Sequence, residues 1–430
     1  MESSFIKYGT PHPPLLPSQE EIAICHFYHS TVENLSIHDP TLSLQEQLPR
    51  LHASSRQDSA LHLALEAVSL VASTEIIPHA TQLGLIRYLK AVQALREAMQ
   101  TEQLSLDYQA LYGVLLLCGY ETITGHLSMP SAWGTHVDGA LALLKLQATH
   151  IDSPLSRSMY FFVLKNVVMS QMQICQPVDE IFTQGLPSSC KDPEFRLLSI
   201  AAGIPRLQYQ SIDLAHLGTI SLERIVYDAQ ALDFLLSTWA KRLPPAWSYA
   251  TALNINNDAH SEYAPQSVHR YAHFYMARVW NFYRISKLIL LSIKLRASFI
   301  LPSSLDTSKI RKRMGALVND ICATVPYLLG DDLCKMNLQF VTNHRTQEIS
   351  LLNSRSTVQR VRNVQTGKFS LVWPLYVACS AWEVPQGQKG WIRKQLQGLA
   401  QAGVPVAEKV CNTDSQILLG RPEVFRFDCV

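Results

Sequence analysis

The chain has 430 residues, 47% of them hydrophobic, with 37 Lys and Arg against 35 Asp and Glu. That is enough apolar material for one large or two closely packed folded domains, and a net charge of +2 is too small to hold a polyanion by charge alone. Nine scattered cysteines with no C-x-x-C spacing read as free, buried thiols of a reducing compartment, and the start at Met1, broken by Pro11, Pro13 and Pro14, lacks the apolar core of a secretory signal.

Residues 1–17 read as a Pro-rich lead-in, 18–410 as a helical body and 411–430 as a C-terminal tail. Ser18-Gln-Glu-Glu21 supplies an N-cap and first-turn acids for a helix reaching about Leu35. Apolar residues then recur at helical spacing, which predicts helices over 59–75, 79–104, 107–124, 131–147, 157–175, 193–210, 222–243, 265–300, 306–328, 368–383 and 389–402. Leu111 to Tyr120 is apolar all round, as expected of a helix enclosed by others at the centre of the core. Trp133, Val137, Ala140 and Leu144 share one helical face. Strand-like alternation is nearly absent, and the polar stretches near 254–266 and 342–367 read as loops. No fixed-period repeat is visible, so the expected fold class is all-α, an irregular multi-helix bundle with an α-solenoid-like arrangement as the alternative. The run Ile285 to Leu295 is interrupted by Lys287 and Lys294 and is too short to cross a bilayer, so no membrane partner is expected.

Between Arg270 and Arg313 ten basic residues face a single acid, Asp306. The plain reading is a solvated helix face, within which Lys309, Arg311, Lys312 and Arg313 form a candidate nuclear-import patch. Catalytic signatures fail in turn: there is no phosphate-cradling G-x-x-x-x-G-K-[ST], no G-x-G-x-x-G after a strand and no G-x-S-x-G elbow. Asp331-Asp332 runs on to Lys335, a cation where a magnesium site would need a third acid. His269 and His273, four apart, would share a helical face suited to zinc but lack a third ligand, and the cluster Cys25, His26, His29 is no stronger. No catalytic, cofactor-binding or metal-binding residue is assigned.

Leu111-Tyr-Gly-Val-Leu-Leu-Leu-Cys-Gly-Tyr-Glu121 followed by Trp133, His136, Gly139 and Ala140, then Leu232 to Trp239 with Pro244-Pro-Ala-Trp247, then Trp280-Asn281-Phe-Tyr-Arg284, Ile321 to Tyr327 and Trp373-Pro374, form a series spread over roughly residues 20 to 410. In order and spacing the series resembles the fungal-specific transcription factor domain, the helical region that in most members follows a six-cysteine zinc cluster. Residue by residue, Gly139 should let helices approach closely, with His136 hydrogen-bonding across the contact. Asn281 and Arg284, polar in an apolar helix, need buried partners, and Glu121 is an expected one for Arg284. Glu121, Trp133, His136, Gly139, Trp280, Asn281, Arg284 and Trp373 are therefore the fold-signature residues and the candidate buried polar network.

The 430 residues supply no paired C-x-x-C set. What the resemblance implies is a transcription regulator or co-regulator without its own zinc cluster. It would not bind DNA directly, and would act through other transcription proteins or a DNA-binding partner, with a homodimer as a further option. It would reside in the nucleus, with the cytoplasm as a second location, and serve a metabolic or secondary-metabolite gene cluster, with a small apolar ligand between helices as a means of tuning. A non-regulatory helical scaffold and an unrecognised all-helical enzyme are the alternatives.

Overall fold

The computed structural model describes residues 17–33, 42–100, 108–125, 132–147, 153–184, 192–254, 263–301, 305–331, 338–340, 357–424 and 426–427. Most of the Pro-rich lead-in and most of the two polar stretches, 255–262 and 341–356, lie outside the described residues.

The architecture is all-helical. In chain order the helices are α1 (Gln19–Glu33), α2 (Leu42–Ser54), α3 (Ala60–Val71), α4 (Ala80–Gln100), α5 (Tyr108–Thr124), α6 (Ala132–Gln147), α7 (Pro154–Ile174), α8 (Ile181–Gln184), α9 (Pro193–Ala201), α10 (Ile204–Gln210), α11 (Thr219–Lys241), α12 (Phe274–Ser298), α13 (Thr307–Leu328), α14 (Thr357–Cys379), α15 (Gln386–Gln401) and α16 (Pro405–Val410). Several starts are written in the local chemistry. Ser59, Asp192 and Asp306 accept the backbone N–H three residues on, and Ser153 and Ser156 form a reciprocal capping box just before and within α7, with Pro154 at its first position.

The N-terminal half is organised around α3, which packs on α1, α4 and α5, while α6 bridges α5 to α7. The C-terminal half is organised around α12, which packs on α11, α13 and α14. Short α9 and α10 join the halves by touching α7 on one side and α11 and α12 on the other. One large contiguous apolar core runs through both, with a small satellite cluster of Ala23, Leu70, Ile77 and Ala80. The enclosed helix at 111–120 is there as α5, with Leu111 and Leu117 fully buried. No helix among the described residues is long and apolar enough to cross a membrane.

Four features depart from the sequence reading. A small antiparallel sheet, in the order β2-β1-β3, is built from β1 (Ala250–Asn254), β2 (Ser267–Arg270) and β3 (Leu338–Phe340), with Ala250 opposite Arg270 and Ala252 opposite Phe340. The helix expected from 265 therefore begins only at Phe274. Residues 267–270 pair with β1 instead, and His273 has extended backbone. Helix α2, with Pro49 inside it, was not anticipated, and the expected 193–210 helix is two, broken at Ala202-Gly203 ahead of Pro205. Finally, α14 begins at Thr357, inside the polar stretch read as a loop.

The close helix approach expected at Gly139 is not there, because a Cβ at that position would meet nothing within 4 Å. A tight approach to another backbone is found instead at Gly367, where a Cβ would fall 2.2 Å from the Leu328 carbonyl oxygen, between α14 and the end of α13. Gly367→Ala is expected to lower the unfolding free energy by about 2 kcal/mol through overpacking. Gly139→Ala should raise it by up to about 1 kcal/mol, since it removes backbone freedom from an open helical site. Urea unfolding of both variants checks the pair.

Candidate functional site

Helix α12 carries the basic residues that the sequence suggested were a solvated face, and the structure places most of them inside. Arg284 is 1% exposed, Lys287 5% and Lys294 7%. Each long cation of α12 except Lys294 reaches a different neighbour. Arg278 donates to Glu194 of α9 at 3.2 Å, and Tyr275 donates to the same carboxylate at 2.9 Å. Lys287 meets Asp233 of α11 at 2.8 Å, and Arg296 donates to the Ser211 carbonyl, just beyond α10, at 2.7 Å.

Arg284 is the most enclosed of them. Its Nη1 donates to Asn281 Oδ1 (2.9 Å), and its Nη2 reaches Tyr271 Oη (2.9 Å) and His269 Nδ1 (3.2 Å). Asn281 in turn donates to Thr324 of α13 (3.1 Å). The guanidinium faces the rings of Tyr249 and Trp280 at 5.3 and 5.7 Å. All its hydrogen-bond partners are neutral, so the charge is solvated by acceptors and π-faces in place of water. Because arginine only donates, His269 Nδ1 must hold its lone pair, which puts the proton on Nε2, 3.8 Å from Asp320 Oδ1. Burial, with the Arg284 charge beside it, pushes the His269 imidazole down to about 2.

The expected ion pair between Arg284 and Glu121 is not formed, since the partners of Arg284 come from its own end of the molecule. His269 and Tyr271, on and beside β2, were missed because the helical reading of 265–300 put them on a helix. That reading also made His269 and His273 neighbours on one face, whereas His269 is in a strand and His273 precedes the first turn of α12.

Glu121 belongs to a second cluster. His136 Nε2 lies 3.0 Å from Tyr88 Oη and 3.8 Å from Glu121 Oε1, which links α4, α5 and α6. The Tyr88 ring stacks on Tyr120 at 4.5 Å, and burial together with Glu121 raises the Tyr88 hydroxyl above its ordinary range. Trp133 is fully buried one turn before His136. The remaining aromatics gather around α12: Trp280 donates to the Trp247 carbonyl (2.9 Å), Trp239 to the Pro193 carbonyl (2.7 Å), and buried Trp373 lies 6.4 Å from Phe282.

Lys309, Arg311, Lys312 and Arg313 occupy the first two turns of α13. Arg313 is tied to Asp233 (2.9 Å) and Arg311 to Glu383, and helical geometry sets Arg311 on the face away from Lys309 and Arg313. Burial would raise the Asp233 carboxyl, but its bond to Lys287 and the charges of Lys287 and Arg313 hold it below its ordinary value.

A cleft of about 860 Å³ is lined by Tyr263, Arg311, Lys312, Trp382 and Gln388, and another of about 720 Å³ by Glu20, His52, His62, Glu66 and Arg87. A void lined by residues of α7, α9, α12 and α14, among them Lys165, Glu194 and Arg278, measures about 20 Å³, room for one water. Among the described residues no three His, Cys, Asp or Glu side chains are grouped to hold a metal. Cys118, Cys175, Cys322, Cys379 and Cys411 are buried and free, with burial pushing Cys175 and Cys322 up to about 12, whereas Cys25 is exposed and not the buried thiol expected.

Residues 24–172 match the family described as the fungal specific transcription factor domain. The chain is also similar to the protein named transcription factor dbaG of Emericella nidulans (strain FGSC A4), with 24% identity over 334 residues that cover 74% of this chain and 73% of that protein. No solved structure matches it. The matched segment holds the Tyr88, Glu121 and His136 cluster, and the Arg284 cluster lies beyond it.

Arg284→Met leaves the acceptors on Asn281, His269 and Tyr271 without their donor and is expected to cost about 3–5 kcal/mol of stability in chemical denaturation. The pH dependence follows from His269. Below about pH 6.5 the unfolded chain takes up a proton that the folded imidazole refuses, so stability is full above that pH and falls by about 1.4 kcal/mol per unit below it. His269→Asn keeps an acceptor for Arg284 and removes the titration. The difference between the two stability profiles from pH 7 to pH 5 should show this slope.

Proposed function

We propose that the chain is a fungal transcription regulator that works through protein contacts and not through chemistry of its own. The observation that carries this reading is the family match over residues 24–172, reinforced by a relative named as a transcription factor that aligns with three quarters of the chain. The interior is consistent with it. The buried polar groups around Arg284, Asp233 and Glu121 bind one another. Nuclear residence, service to a metabolic or secondary-metabolite gene cluster, and access to DNA through a partner protein are the finer parts of the proposal. They rest on the family resemblance.

The second reading, a helical scaffold without regulatory effect, fits the same core. Tethering separates the two. The chain is fused to a DNA-binding domain of known specificity and expressed with a matching reporter in a filamentous fungus. A change in reporter output in either direction, abolished by Arg284→Met in the fusion, is expected. Unchanged output from a folded fusion that occupies the reporter site would overturn the regulatory reading in favour of the scaffold.

A further inference from the structure

Helix α11 buries Leu222, Ile225, Val226, Ala229, Leu236 and Trp239 against the core. Its opposite face is apolar too. Ile220 is 85% exposed, Tyr227 64% and Phe234 70%, each seven residues from the next. Isolated exposed apolar side chains are ordinary, but three large ones aligned on one face at heptad spacing form a helix-docking stripe. Exposed Ala231, between Tyr227 and Phe234, gives the stripe a low point where another backbone can come close. Arg224, at its edge, is already paired to Asp228 at 3.1 Å and leans toward the Tyr227 ring.

The charges on the flank choose the occupant. Glu223 and Lys241 are exposed and lie eighteen residues apart, five full helical turns, so they project from the same side of the stripe. The same helix laid antiparallel, with its crossing point at Ala231, puts Tyr227 against Phe234 of the second copy and Phe234 against Tyr227. It also brings Glu223 within one turn of Lys241 of the second copy, and the two-fold axis repeats both contacts. A parallel pairing would send the charged flank of the second copy to the opposite side of the stripe and leave Glu223 and Lys241 without an opposite charge across it. We infer that α11 is a homodimerisation helix that pairs antiparallel with α11 of a second copy, with Ala231 at the crossing point. The inference does not rest on the regulatory reading, and its readout is independent of transcription.

Analytical ultracentrifugation of the full chain should show a reversible dimer with a dissociation constant on the order of 10 µM, as one helix face makes a small interface. Phe234→Glu should weaken it by about tenfold or more. Glu223→Lys and Lys241→Glu should each weaken it, and the double charge swap should restore it. With Cys25, Cys190, Cys334 and Cys429 each changed to Ser as background, Ala231→Cys should give a disulfide-linked dimer on mild oxidation. Ile220→Cys should not, because antiparallel copies hold those positions about 30 Å apart. Ile220, Glu223, Ala231, Phe234 and Lys241 are solvent-exposed, so circular dichroism of the variants should match the parent. A chain still monomeric at roughly twenty times the expected constant, self-association indifferent to Phe234→Glu, or efficient cross-linking at Ile220→Cys would each overturn the inference.

Discussion

Everything in the C-terminal half of this fold is arranged around the burial of one basic helix. Helix α12 has 25 residues and is enclosed on nearly every side, yet it carries Arg278, Arg284, Lys287, Lys294 and Arg296. A buried cation costs several kcal/mol unless it is met by acceptors, so Arg278, Arg284, Lys287 and Arg296 each constrain what packs against them. The acceptors come from separate elements: Glu194 from α9, the β2 region for Arg284, Asp233 from α11, and Ser211 from the turn after α10. Apolar packing alone would hold these elements near α12, but it would tolerate sliding by a turn. The directional bonds remove that freedom and fix the register of four neighbours at once.

The same logic gives the small sheet its reason. Arg284 needs oxygen and nitrogen acceptors from a side that α11 and α13 do not cover, and an extended segment can present alternate side chains to that side. His269 and Tyr271 are two residues apart, so they project from the same face of the extended chain. The N-terminal half is built on the same plan at smaller scale. Tyr88, Glu121 and His136 join α4, α5 and α6, and the Tyr88 ring stacks on Tyr120.

How much of this was legible depended on whether the signal was local. Helix α5 could be read because every residue from Leu111 to Tyr120 is apolar, and α7 because its apolar spacing is unbroken. The polar character of Asn281 and Arg284 correctly announced buried partners, but the sequence cannot say which of many polar residues a helix will meet. Glu121 was a reasonable choice by charge and the wrong one by topology. The onset of α12 was misplaced because Val268 and Tyr271 fit a helical period as well as a strand, and only pairing with β1 separates the two. Gly139 misled in another way. A helical glycine signals close approach only if another backbone lies opposite, and here Gly367 has that neighbour and Gly139 does not.

Many of the enclosed charged groups are used against one another, Arg278 on Glu194 and both Lys287 and Arg313 on Asp233. Apolar surface stays exposed on the outward face of α11, where Ile220, Tyr227 and Phe234 stand. That helix is also where the internal network is anchored, since Asp233, on its inner face, holds both Lys287 and Arg313. A rigid inner face is what a docking helix requires, because side chains whose backbone is already fixed lose little further freedom when a partner arrives. The buried ion pairs of α11 and its exposed aromatic stripe are in this sense two sides of one device, with the charge inside holding still the surface that meets another chain.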